Sequence, residues 1–172
     1  MTEPTLRRGS RTDVPSLEPL WVSVHHRHAE AMPELAPYVS DARTWAVRGA
    51  LYDGLLAKPD TVLFLASVDA VLIGYGLAHV MAVGDTWLAD TWATSARIGE
   101  IESLAVLPEY RGRGVGTRLL EALERELEAD GVRDLVLGVL PGNAAAIRLY
   151  ERRGYRPTWT YLSRLAGRQI GS

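Results

Sequence analysis

The 172-residue chain contains no cysteine. Disulfides, thiolate metal sites and a cysteine nucleophile are thereby excluded, and nothing in the composition calls for an oxidising compartment. Lysine is almost absent too, since Lys58 is the only one and arginine supplies every other basic side chain. A Walker-type phosphate loop needs a lysine directly after its last glycine. Here that position is Thr117, which excludes a P-loop nucleotidase. An excess of positive charge is also missing: the formal net charge of −2 disfavours nucleic acid as a partner. No apolar run reaches the length of a signal core or a bilayer span, and the N-terminal stretch MTEPTLRRGSRTD is polar, so no membrane partner is expected and a cytoplasmic location is. No linker, low-complexity tract or charge block interrupts the chain, which therefore reads as a single domain over residues 1–172. Its 47% hydrophobic content is ample for a core.

What is present alternates between strand and helix patterns. TLRRGSR reads as a short strand. Leu17, Leu20, Trp21, Val24 and His28 then recur at helical spacing, with Ser16 as the expected cap and Pro19 in the tolerated first turn. Pro33 and Pro37 break the chain, and Ser40 starts a second helix that carries Trp45, Arg48, Tyr52 and Leu55 and ends near AKPD. TVLFLASVD and VLIGYGLAHVMAV, separated by Asp69 and Ala70, predict an antiparallel hairpin. EIESLAVL alternates, which places Glu100, Glu102, Leu104 and Val106 on one face of a strand. Val115, Leu119, Leu123 and Leu127 form the stripe of a helix that Gly131 stops. VRDLVLGVL is dense enough in apolar residues for a strand buried on both faces. Asn143 caps a helix AAAIRLYERR that Gly154 ends, and YRPTWTYLSRL closes the chain as one or two further strands.

The most informative stretch is PEYRGRGVGTRLL, where glycines at alternate positions lead straight into a helix. A helix N-terminus offers unpaired amides and a partial positive charge, and glycines let an anion approach the main chain. Arg111 and Arg113 add full charges beside it. A dinucleotide fingerprint fails on spacing, because Gly-x-Gly-x-x-Gly counted from Gly112 ends on Thr117 and counted from Gly114 ends on Leu119.

What does match is Arg-x-x-Gly-x-Gly across Arg111, Gly114 and Gly116, followed later by NAAAIRLYERRGY, in which a tyrosine lies seven residues after an asparagine and Gly-Tyr comes next. Together these closely resemble the two motifs of the GNAT superfamily of N-acetyltransferases, in the family's order and spacing, over about residues 98 to 156. The resemblance implies an α/β fold with a mixed, mostly antiparallel twisted sheet, splayed where coenzyme A enters, and helices on both faces. It also implies direct transfer of an acetyl group from acetyl-CoA to an amine acceptor: a small amine, a peptide N-terminus or a lysine. By the same resemblance the amides of Arg111, Gly112, Arg113, Gly114, Val115, Gly116 and Thr117 cradle the pyrophosphate. The pantetheine arm runs beside Leu104, Ala105 and Val106, and Asn143 opens the helix next to it. Glu100 or Glu102 takes the acceptor's proton, and Tyr150 protonates the departing thiolate. A homodimer is an assembly the family often forms. The rival from another class is a non-catalytic acyl-CoA-binding sensor or partner module, against which the retention of Glu100, Glu102 and Tyr150 argues.

Two other features stand out. HHRH at residues 25–28 invites a metal reading, but no third ligand is evident, and the expectation is that no metal is bound. The doubled Asp-Thr-Trp at Asp85–Trp87 and Asp90–Trp92 fits either an acceptor wall for a cationic amine or a structural anchor, with the structural reading favoured.

Overall fold

A computed structural model of the chain describes residues 3–164. Strand β1 (Thr5–Arg8) leads through a seven-residue 3-10 turn into helix α1 (Glu18–Ala31), and helix α2 (Asp41–Leu56) packs beside it. Strands β2 (Thr61–Val68), β3 (Val71–Ala82) and β4 (Arg97–Val106) follow, then helix α3 (Val115–Ala129), strand β5 (Asp134–Leu137) and helix α4 (Ala144–Arg152). The sheet runs β1-β2-β3-β4-β5, antiparallel throughout except for the parallel β4–β5 pair.

Helices cover both faces of this sheet. On one face the 3-10 turn, α1 and α2 bury Leu17, Leu20, Trp21, Tyr52 and Leu55 against Leu63, Leu65, Tyr75 and Leu77. On the other face α3 presents its expected stripe, with Leu120, Leu123 and Leu127 against Val62, Ala78 and Ile101, and Val115 and Leu119 against Ala66 and Ile73. The β2–β3 turn places Asp69 and Ala70 at φ of 49° and 65°, the left-handed pair that a two-residue hairpin of matching twist requires.

Several local expectations are corrected. Ser16 does not cap α1, whose N-cap is Leu17 without a capping side chain: Ser10 and Asp13 form a capping box on the preceding 3-10 turn, and the Ser16 hydroxyl donates to the Asp13 carbonyl at 2.6 Å. β5 is half-buried along its whole length, not buried on both faces, because among the described residues no strand pairs with its outer edge. The stretch after α4 forms no strand through residue 164, and Leu165 lies outside the described residues.

The largest correction concerns β4. In the β3–β4 register Leu77 faces Ser103 but the next residue, Ala78, faces Ile101, so Glu102 is an extra residue without a partner. A bulge of this kind interrupts the two-residue alternation. Glu100 and Glu102 therefore share the α1/α2 face, as expected, whereas Leu104 and Val106 turn to the α3 face and pack there. Beyond the bulge Ser103 and Ala105 occupy the α1/α2 face.

Candidate active site

β5 pairs with β4 only from Ile98 to Ile101. Among the described residues no strand pairs with the outer edge of β4 from Glu102 to Val106, and this edge leads directly to the glycine turn. An unpaired edge offers main-chain donors and acceptors to an extended amide-bearing ligand, as in β-augmentation. The sheet is splayed at this place, as expected.

At the end of the edge Gly112 and Gly114 adopt φ of 74° and 79°, and a Cβ on either would meet nothing within 4 Å. The space above the turn is open, and the glycines are there for the backbone conformation. Gly114 is the N-cap of α3 and has no capping side chain, nor is there an acidic residue in the first turn. The Arg111 amide already donates to the Pro108 carbonyl at 3.2 Å, and the Arg118 amide opens the helix ladder on Gly114 at 3.0 Å. Between them, the amides of residues 112 to 117 are left for an anion.

The two arginines of the turn are used differently. Arg111 donates from Nε to the Val106 carbonyl at 2.9 Å and from a terminal nitrogen to Ser23 Oγ at 3.0 Å, which braces the turn against β4 and α1. Arg113 lies 5.6 Å over the ring of Tyr110, which packs beneath the turn.

Glu100 and Glu102 meet a third side chain that the sequence did not single out. His79, opposite Glu100 in the β3–β4 register, brings Nε2 within 3.3 Å of Glu100 and 3.7 Å of Glu102. Arg48 of α2 closes on the other oxygen of Glu102 and stacks 4.0 Å over Trp21. The result is a row of alternating charge, Glu100, His79, Glu102, Arg48. Hydrogen bonding of the His79 Nε2–H to Glu100 and then Glu102 outweighs burial and raises the imidazole to about 9, so it is protonated at neutral pH. One ligand-capable atom from each of His79, Glu100 and Glu102 lies within 4.8 Å of the others, and Arg48 occupies the far oxygen of Glu102. Below the row the hydroxyls of Tyr52, Tyr75 and Ser103 form a buried chain with steps of 2.8 and 3.1 Å.

The other wall belongs to α4. Asn143 caps it, Oδ1 accepting from the Ala146 amide at 3.4 Å. Its last turn is a Schellman motif: Gly154 at φ 93° donates to Glu151 at 3.0 Å, and Tyr155 donates to Tyr150 at 3.1 Å. The hydrophobic contact that accompanies such a motif is Tyr155 on Tyr150, edge to face at 5.9 Å. The Gly-Tyr after the helix thus holds the Tyr150 ring in place. Burial pushes the Tyr150 hydroxyl up to about 12. Among the described residues no hydrogen bond or ion pair joins Tyr150 to the glutamates; the open β4 edge separates the two walls.

The histidines of HHRH do not form a metal group among the described residues. His25 is buried, with Nε2 on the Val39 carbonyl at 2.9 Å, His26 faces Asp41, and His28 packs edge-on to Trp21. Trp87 and Trp92 of the doubled segment pack edge-to-face on each other and on Trp159, with centroids 5.7 to 6.0 Å apart.

Comparison with known proteins gives the family. The chain is 31% identical over 102 residues to an N-alpha-acetyltransferase of Sulfurisphaera tokodaii, covering 59% of this chain and 60% of the relative. It is 48% identical over 65 residues to the ribosomal protein bS18-alanine N-acetyltransferase of Escherichia coli K12, covering 33% and 44%. The chain thus spans less than two thirds of the length of these relatives. Among solved structures it superimposes on the BH1408 protein of Bacillus halodurans with a TM-score of 0.74 at 18% identity, covering 94% and 99%. It also superimposes on the aminoglycoside N-acetyltransferase AAC(6')-Iy in complex with CoA, with a TM-score of 0.67 at 20% identity, covering 97% of each chain. The model of the acetyltransferase (GNAT) family matches residues 20–155, and the chain belongs to that family.

Proposed function

We propose that this protein is an acetyl-CoA-dependent N-acetyltransferase whose acceptor is the α-amino group of a peptide or protein. The observation that carries the transferase reading is the open β4 edge, which runs from a carboxylate pair at the bulge to a glycine turn with unpaired amides. An extended thioester with two amides in its arm and a pyrophosphate at its end fits such a track. The acceptor class is supported by two relatives that carry N-alpha- and alanine N-acetyltransferase names.

The chemistry follows from the placement. Amides of residues 112 to 117 hold the pyrophosphate, with Arg113 nearby. Leu104, Ala105 and Val106 line the arm, and Asn143 faces it from α4. The bulge at Glu102 leaves main-chain groups unpaired, donors suited to a thioester oxygen as charge develops on it. The acceptor ammonium gives one proton to a glutamate of the pair. The neutral nitrogen attacks the thioester carbon, the N–C bond forms, the C–S bond breaks, and the second amine proton is lost as the thiolate is protonated. An α-amine near 8 is neutral in about one molecule in ten at pH 7, a lysine-like amine in about one in a few thousand. The base therefore has far less to do for an α-amine.

Tyr150 at about 12 is a poor match for a thiol near 8.5, and full proton transfer would be uphill by about 5 kcal/mol. Its hydroxyl acts as a hydrogen-bond donor to the leaving sulfur. The test is thiol release from acetyl-CoA with matched peptides: free N-terminus, blocked N-terminus with an internal lysine, and aminoglycosides as a third arm. Turnover confined to the free N-terminus is expected. Turnover of the blocked peptide alone reassigns the acceptor to lysine, and CoA binding without release for any amine supports the sensor reading.

A further inference from the structure

Two carboxylates with oxygens within 4.8 Å of each other repel, and neither the strand pattern nor the resemblance says which of them is the base. Their neighbours distinguish them. Glu102 has a cation at each oxygen, Arg48 on Oε1 and His79 at 3.7 Å from Oε2, and its side chain is only 16% exposed. Arg48 is itself held by stacking on Trp21 and Tyr52. Among the described residues Glu100 pairs with His79 alone, on one oxygen at 3.3 Å, and its side chain is 32% exposed, so the other oxygen faces no partner there.

Resting on the acetyl-transfer reading above, we propose that His79 is a positioning residue for proton removal: set between the two carboxylates, it ties Glu102 into a fixed ion-pair row and leaves Glu100 to take the acceptor's proton. The groups acting on His79 are Glu100 and Glu102 of β4, with Arg48 of α2 behind Glu102. When Glu100 receives a proton its hold on the imidazole weakens, and the Nε2 proton is retained by Glu102. The row stays charge-compensated while the proton on Glu100 passes to solvent. The protonated imidazole holds both carboxylates in place through Nε2. As His79 loses its proton near pH 9, that charged link between Glu100 and Glu102 is lost.

The experiment combines histidine NMR with kinetics on the full chain and the variants His79→Gln, Glu100→Gln and Glu102→Gln. Of the four histidines, one should titrate near 9, vanish in His79→Gln and move toward the ordinary 6.5 in Glu100→Gln. With one acceptor used throughout, the acceptor's own ionisation is common to all profiles. kcat/KM should show an additional inflection near pH 9 in the parent and lack it in His79→Gln, whose remaining histidine signals report that it is folded. At pH 7 Glu100→Gln should lower kcat by about tenfold, and Glu102→Gln by much less. The proposal is overturned if no histidine titrates well above its ordinary range, if parent and His79→Gln profiles superimpose, or if Glu102→Gln is the inactive variant. Absence of turnover with every amine would instead remove the transferase reading and this proposal with it, while the titration still reports whether the charged row exists.

Discussion

At the scale of single residues, Tyr150 is packed as a core side chain and is also the residue proposed to act on the leaving sulfur. Its ring packs with Tyr155 among the residues that α3 and β5 bury, and burial is what raises its hydroxyl to about 12. A group so reluctant to ionise donates a hydrogen bond to sulfur well but gives up its proton poorly. Tyr150→Phe should therefore lower kcat by about tenfold, below the upper range for general acids, with melting temperature and acetyl-CoA affinity close to the parent. Loss of stability with normal turnover would make Tyr150 a packing residue only. His79 is the residue that the sequence pattern passed over. A histidine in an apolar strand run carries no motif, and its meaning depends on which residues of β4 lie opposite it.

At the scale of elements, the glycine turn and the N-terminus of α3 act together. Gly114 sits at φ 79°, so a β-branched replacement strains the backbone as well as filling the open space, and a Gly114→Val variant confounds folding with binding. A charge at the helix start separates them. Thr117 occupies the third helical position of α3, where a glutamate is favourable to the helix by about 0.3–1 kcal/mol and competes with an anion for the same amides. Thr117→Glu should leave the melting temperature unchanged or slightly higher and weaken acetyl-CoA binding by about tenfold or more, measured by calorimetry. Unaltered affinity would mean that the pyrophosphate does not lie on this turn. The Schellman end of α4 is the counterpart on the other wall, and there the Gly154-Tyr155 pair is legible in the sequence as a helix stop and in the structure as the brace of Tyr150.

At the scale of the whole molecule, Trp87 and Trp92 join Trp159 to tie the segment after α4 to the β3–β4 connection. The structural reading of the doubled Asp-Thr-Trp has its physical basis in these contacts, each edge-to-face pair contributing about 0.5–1.5 kcal/mol beyond area burial. The cluster lies apart from the main core clusters, and its rings are still 37% to 53% exposed. Trp159→Ala should accordingly leave the cooperative melting of the domain nearly unchanged while speeding limited proteolysis within residues 157–164. Equal cleavage rates in parent and variant would show that the clasp does not hold the segment in solution.

Local chemistry decided much by itself. Helix stripes such as Leu119, Leu123 and Leu127 follow from a 3.6-residue period, the β2–β3 hairpin from two apolar runs around a short turn, and the turn of unpaired amides from glycines ahead of a helix. Those signals lie within a few residues of chain, so the motifs of the family were readable, and the glutamates could be placed on one face. The β4 bulge was not readable, because an unpaired residue exists only relative to a partner strand, and the 14 residues from Val83 to Ala96 that set the register carry no periodicity. That shift turned Leu104 and Val106 away from the glutamates. The same tertiary pairing put His79 between them and Arg48 beyond, since charges distant in sequence find their partners only when the sheet and α2 close on each other.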